Sequence, residues 1–315
     1  MNRHDFLKTL AAGAASLLVP RWTRGEQSPE VKTFTYKTVD GCEIKLDAIG
    51  FNPNVRKPVV VHIHGGALIM GSRRGVPPWL LAQKDRVVIS IDYRLAPETK
   101  LPSIMEDVQD AFVWIHKQGP KLLNIDARNL VVEGESAGGY LTLMTGFCVK
   151  PRPKALISVS GYSGIVGPWY SRPSAYHLQQ PHVSKEEANA AVGTACICDG
   201  HGPRGKFYMY TRQNGVWPQE VAGHNPETEP DWFAPYCPVQ NVSRKYPPTV
   251  LIHGTADTDV PYAESDAMDK ALTHFKVPHK FISVPGAGHM LEGVADGEKA
   301  RIFDEALAFV KEHVG

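Results

Sequence analysis

The sequence predicts an α/β fold, a mostly parallel eight-stranded sheet with helices on both faces and an inserted cap region. Three observations predict it. Short β-branched apolar runs alternate with segments of helical period along most of the 315 residues. The middle runs are continuously apolar rather than alternating, as strands covered on both faces require. Residues 161–247 interrupt the pattern; they hold no long periodic segment but carry ten of the seventeen Trp and Tyr.

Residues 1–24 read as an export signal. Arg3, Lys8, Arg21 and Arg24 stand against the single acid Asp5, around a mostly apolar, Ala-rich run at 10–19. Ten residues are too few to span a bilayer but suit the apolar core of a signal. The start resembles a degenerate twin-arginine signal, with His4 where a second arginine would follow Arg3 ahead of Phe6-Leu7-Lys8. On this reading the protein works in the periplasm or outside the cell. The competing reading is an ordinary amphipathic N-terminal helix on a cytoplasmic protein.

The main domain is expected at 30–315. Residues 33–39 and 43–49 alternate around Gly41 and should pair antiparallel. Runs at 58–63, 86–92, 130–133, 155–159, 249–252 and 280–284 supply six more strands. At 102–117, Ile104, Val108, Ala111, Phe112 and Ile115 recur at helical spacing, and Pro102 fits a first turn. Helices are also expected at 265–274 and 298–313. Right-handed crossovers between parallel strands leave the carboxyl edge of the sheet as the place for a site. The insertion at about 161–247 is expected to cap that edge, its Trp169, Trp217 and Trp232 forming either a satellite core or a pocket wall.

Gly134-Glu135-Ser136-Ala137-Gly138-Gly139 follows an apolar strand and precedes the helical Tyr140-Leu141-Thr142-Leu143-Met144. A sharp strand-to-helix turn lifts a serine hydroxyl out of a sheet, and the glycines remove side chains that would clash there. His62-Ile63-His64-Gly65-Gly66-Ala67 ends another strand. The N–H groups expected to form an oxyanion hole come from Gly65, Gly66 and Ala67, with Ala137 after the serine. A strand ending at Ile252 runs into His253-Gly254-Thr255-Ala256-Asp257-Thr258-Asp259, and the next runs into Gly286-Ala287-Gly288-His289. Ser136, Asp257 and His289 therefore appear in the chain order of a Ser-Asp-His triad, in which the imidazole takes the hydroxyl proton and the carboxylate holds the imidazole. Asp257 is expected to be the acid because it lies nearer the sheet edge. Asp259 is expected to cap the helix after Pro261.

Together with Asp92-Tyr93-Arg94-Leu95-Ala96-Pro97-Glu98, these motifs resemble the α/β-hydrolase superfamily and, within it, the hormone-sensitive-lipase-like esterases. The resemblance covers 30–315; Ala67 stands where that family usually has a third glycine. It implies hydrolysis of carboxylic esters through an acyl-serine, with no cofactor and a small-molecule or carbohydrate ester as substrate. Acetylxylan or feruloyl-type carbohydrate esterase and formamidase are the other enzymatic readings, and a ligand-binding protein on the same fold is the non-enzymatic one.

A net charge of +1 argues against nucleic acid as a partner, and no segment is suited to a stable membrane span. His62 and His64 share a strand face but lack a further ligand at suitable spacing, so no metal is expected. Cys196 and Cys198 are too close for a comfortable disulfide; pairing of either with Cys237 is the oxidised alternative to buried free thiols.

Overall fold

The structure, a computed structural model, describes residues 30–314; the expected export segment lies outside the described residues. The strands are β1 (Val31–Val39), β2 (Cys42–Ile49), β3 (Lys57–Ile63), β4 (Val87–Ile91), β5 (Ile125–Glu135), β6 (Ala155–Val159), β7 (Thr249–Gly254) and β8 (His279–Val284). They form one sheet in the order β1-β2-β4-β3-β5-β6-β7-β8. β1 pairs antiparallel with β2, and β2 with β4; all other pairs are parallel.

Side-chain alternation divides the core into two layers. Val59, Val61, Val87, Ile89, Leu130, Val132, Leu156 and Leu251 face one cluster with α2 (Leu101–Leu123), α3 (Ala137–Cys148) and α8 (Tyr262–His274). Val60, Val88, Val131, Ile157, Val250 and Ile252 face the other. There α9 (Asp296–Val314) contributes Ile302, Phe303, Ala306 and Val310, and Trp79 of the short α1 (Pro78–Leu81) stacks on Phe303 at 4.2 Å. Both layers of the α/β sandwich are thus present, as the continuous apolar strands require.

Helix boundaries extend past the expected ones where local chemistry tolerates it. α2 runs to Leu123 through Pro120, which sits in the last turn, and stops at Asn124 in the left-handed region (φ 50°). The segment between β6 and β7 is more helical than its sequence shows. It contains α4 (Pro168–Ser171), α5 (Lys185–Ala190), α6 (Arg204–Asn214) and α7 (Trp217–Ala222). α5 opens with a reciprocal capping box between Ser184 and Glu187. Among the described residues no helix is long and apolar enough to cross a membrane.

Buried ion pairs fix the stretch after β4. Asp92 accepts from the Arg73 backbone N–H (2.7 Å) and guanidinium (2.6 Å). Arg94 grips fully buried Asp107 through Nε (2.7 Å) and Nη2 (2.8 Å), and Lys37 reaches the same carboxylate. Glu98 takes two bonds from Arg204, at 2.8 and 2.7 Å, which ties α6 to the sheet. Removing one member leaves an uncompensated buried charge. Arg94→Met should therefore lower unfolding free energy by about 3 kcal/mol, toward the low end because Lys37 remains. Adding Asp107→Leu should recover part of that loss. Urea midpoints of the single and double variants check both statements.

Candidate active site

Ser136 stands between β5 and α3 with φ 54° and ψ −119°, a conformation that costs about 1–3 kcal/mol and persists only where its surroundings impose it. Two close approaches impose it here. The Ser136 N–H donates to Val159 O (2.8 Å), holding the turn to β6. On the other side Gly138 lies against β3 so tightly that a Cβ would fall 1.9 Å from the Ile63 carbonyl oxygen. Only glycine fits.

The two expected partners come from neighbouring strands. β7 delivers Asp257 and the loop after β8 delivers His289; the Ala256 N–H bonds Ala287 O (2.9 Å), and the Gly286 N–H bonds Thr255 Oγ1 (2.9 Å). His289 Nε2 lies 3.0 Å from Ser136 Oγ, and its Nδ1 lies 2.8 Å from Asp257 Oδ2. Asp257 Oδ1 accepts from the Asp259 and Val260 N–H groups, both at 2.9 Å. Burial opposes charge on Asp257, but hydrogen bonds from His253 and His289 outweigh it and hold its pKa down to about 2. The sequence reading gave His253 no role. Its Nε2 is 3.2 Å from Asp257 Oδ2, and its Nδ1 pairs with Ser265 Oγ at 2.7 Å.

Burial also opposes protonation of His289, yet Asp257, Asp259 and Glu135 together raise its pKa above the ordinary value. Glu135, beside the serine, is itself pushed up to about 7 by burial and by Glu133. Glu133 is paired with His62 at 2.7 Å beneath the strand end. His64 directs Nδ1 to Gly65 O (2.8 Å) and stacks on Tyr93 (4.2 Å); burial lowers its pKa to about 3, so it is neutral.

Gly65 lies next to the serine, and Gly66 and Ala67 follow it in the chain. A Cβ on Gly65 would fall 3.3 Å from the Ser136 Cβ. Gly66 (φ 102°), Ala67 (φ 56°) and Leu68 (φ 62°) make a left-handed run that glycine alone enters freely. Their carbonyls are tied off: Gly66 O accepts from the Ile69 and Met70 N–H groups, Ala67 O from Trp217 Nε1 (3.0 Å), and Leu68 O from the Ala96 N–H. Tyr93 Oη donates to His64 O (2.9 Å) just upstream. Among the described residues no acceptor meets the N–H of Gly66 or Ala67. Ala137 opens α3 directly after the serine, where helix N–H groups are unpaired.

Asp259 corrects an expectation. It does not cap α8, whose preceding residue Pro261 makes no side-chain cap. Its Oδ1 instead accepts from Tyr208 Oη (2.6 Å) and Arg212 Nη1 (2.7 Å), both on α6, with His177 Nε2 at 3.4 Å. Trp217 falls on the core side of the two readings open to it. It is fully buried, stacked on Tyr170 at 4.0 Å, and Tyr170 stacks on Trp169 at 3.6 Å. Trp217 is therefore core that braces the Gly66–Leu68 turn, not a pocket wall. All five cysteines are free thiols. Cys196 and Cys198 lie beside Cys42 at the start of β2, whereas Cys237 packs near Ile165 and Tyr140.

The sequence pattern of the BD-FAE family matches residues 51–272. The chain belongs to the BD-FAE family. Among curated proteins it is 27% identical over 261 residues to Esterase LipC of Mycobacterium tuberculosis, covering 79% of this chain and 57% of that protein. It is 26% identical over 307 residues to the non-reducing polyketide synthase Preu6 of Preussia isomera, covering 85% of this chain and only 14% of the synthase. A solved structure of a protein with unknown function from Staphylococcus aureus subsp. aureus Mu50 superposes with a TM-score of 0.74 at 22% identity, covering 91% of this chain and all of that one. This BD-FAE member has the α/β-hydrolase fold.

Trp217→Ala would empty a large space in the aromatic stack and free the Ala67 carbonyl. It should destabilise the protein by about 4 kcal/mol. A melting temperature within a degree or two of wild type would show that the stack braces nothing.

Proposed function

We propose that this protein hydrolyses carboxylic esters through an acyl-serine intermediate. The observation that carries the reading is the continuous relay Asp257–His289–Ser136, at 2.8 and 3.0 Å, beside N–H donors of a left-handed loop. His289 Nε2 takes the Ser136 proton as Oγ attacks the ester carbonyl, and Asp257 holds the tautomer with Nδ1–H and stabilises the imidazolium. The N–H groups of Gly66, Ala67 and Ala137, with the Gly65 backbone alongside, receive the oxyanion. His289 then returns the proton to the leaving alcohol. Water repeats the cycle on the acyl-enzyme, and no cofactor enters the steps. Ala67 keeps the N–H of a glycine but adds a Cβ, which favours unbranched esters.

The segment 161–247 acts as a cap in this reading, since α6 and α7 reach Asp259, Ile69 and Ala67 at the strand ends. Residues 30–315 then form one hydrolase domain carrying that insertion. The esterase named among its relatives agrees with an ester substrate.

Ser136→Ala should lower kcat by about a million-fold on a short-chain p-nitrophenyl ester, and Asp257→Asn by about ten-thousand-fold with the fold retained. Ser136→Ala turnover above a hundredth of wild type would exclude the serine mechanism.

The pH profile follows from the charges around His289. Only the neutral imidazole accepts the serine proton, so activity falls as pH drops through its raised pKa. The acid limb of kcat/KM should therefore have its midpoint above the ordinary histidine value of about 6.5. Asp257 stays ionised throughout that range, having a pKa of about 2. A midpoint below 6 would contradict the assignment of His289 as base.

A further inference from the structure

Asp257 has its acceptor positions filled, and most of its donors belong to the frame around it. A carboxylate offers about four lone-pair sites. Oδ1 takes the Asp259 and Val260 N–H groups at 2.9 Å each. Oδ2 takes His289 Nδ1 at 2.8 Å and His253 Nε2 at 3.2 Å. The two bonds to Oδ1 fix that oxygen but leave the carboxylate free to pivot about it. His253 stops the pivot, so that the lone pair left to Oδ2 points at His289.

His253 is itself fixed. It is fully buried at the end of β7. Its Nε2 faces two oxygens that carry no proton, Asp257 Oδ2 and the Val260 carbonyl at 3.1 Å, so Nε2 bears the hydrogen and shares it between them. Nδ1 meets Ser265 Oγ at 2.7 Å, on α8, and accepts the hydroxyl hydrogen. The Tyr262 ring stands at an angle to the imidazole, 5.8 Å away. The next residue, Gly254, is pressed against the loop that carries His289; a Cβ there would fall 2.3 Å from Ala287 O. A buried imidazole costs desolvation that an apolar side chain in the same space does not. Here one of its nitrogens is spent on the acid and its loop. We propose that His253 is a positioning residue for the reaction: it donates Nε2–H to Asp257, so that Ser265, His253, Asp257, His289 and Ser136 form one relay anchored in α8. This rests on the ester-hydrolase reading above and adds to it a residue that never touches substrate.

The same bond draws charge away from Oδ2. Burial works against ionisation of Asp257, and the bond from His253 leads the interactions that reverse it. Without that donor, more of the carboxylate charge falls on the bond to His289, which favours the imidazolium. The other negative charges facing His289 are Asp259, on the loop after β7, and Glu135, at the end of β5.

His253→Leu and His253→Gln, made in the full chain, test this on a short-chain p-nitrophenyl ester, with active sites counted by fluorophosphonate titration and folding followed by melting curves. Leucine removes the donor; the glutamine amide restores one near the place of Nε2. His253→Leu should lower kcat per active site by about thirty-fold, as suits loss of a hydrogen bond to a charged group, and leave KM within about two-fold. Its acid limb of kcat/KM should move to higher pH. His253→Gln should recover most of kcat and return the limb toward that of wild type. A histidine serving the fold alone would lower the melting temperature and the count of active sites, but not kcat per site or the limb. That result in folded His253→Leu overturns the proposal, as does a His253→Gln no better than His253→Leu. Nitrogen-15 spectra of histidine-labelled wild type decide the matter if the leucine variant does not fold. They should show His253 protonated at Nε2 and bare at Nδ1 near neutral pH, and the opposite tautomer overturns the proposal. Wild type that neither labels nor turns over the ester would instead contradict the ester-hydrolase reading itself.

Discussion

The close contact between Gly138 and the end of β3 governs the geometry of the whole site. With an α-carbon pressed against the Ile63 carbonyl, α3 can start only where the chain has already turned sharply, and Ser136 must take the strained conformation that results. The same contact sets the distance between the serine and the Gly65–Ala67 loop that continues from β3. The proposed nucleophile and the proposed oxyanion donors are therefore positioned by one piece of backbone packing, before any side chain is considered. The N–H to Val159 O bond extends the constraint to β6, and β7 and β8 then deliver Asp257 and His289 in register.

Around this centre the protein uses buried charge as a set of ties. Asp92 holds Arg73, Arg94 holds Asp107, and Glu98 holds Arg204. Each tie joins the stretch after β4 to a different neighbour, so the Asp92–Glu98 motif supports the site without touching the reacting atoms. Tyr93 adds a neutral tie to His64 O, directly upstream of the proposed oxyanion loop. Such pairs contribute little net stability compared with apolar replacements, but losing one partner is costly, which fixes the arrangement once formed.

Most of the sheet was legible because buried parallel strands are written as uninterrupted β-branched runs; 155–159 matches β6 residue for residue. β5 is longer than its apolar run because Ile125 and Asp126 pair with Lys57 and Pro58 before the apolar part begins. The three residues of the relay were legible because each follows a strand with glycine nearby, a local signal. The helices of 161–247 were not, since their faces are set by contacts with the sheet edge rather than by period. In α6, Arg212 and Arg204 are buried while Lys206 is exposed, so charge carries no information about burial there. Asp259 was misjudged for the same reason. Its partners Tyr208 and Arg212 lie 51 and 47 residues upstream, and a helix-capping rule sees only the next few residues.

The central claim is that the strained serine becomes acylated. Rapid-quench mass spectrometry during the pre-steady-state turnover of a p-nitrophenyl ester tests it directly. The account predicts a protein heavier by one acyl group, with the acyl group on the peptide containing Ser136, formed in step with release of p-nitrophenol. Full turnover with no covalent adduct, or an adduct on any other residue, would contradict it.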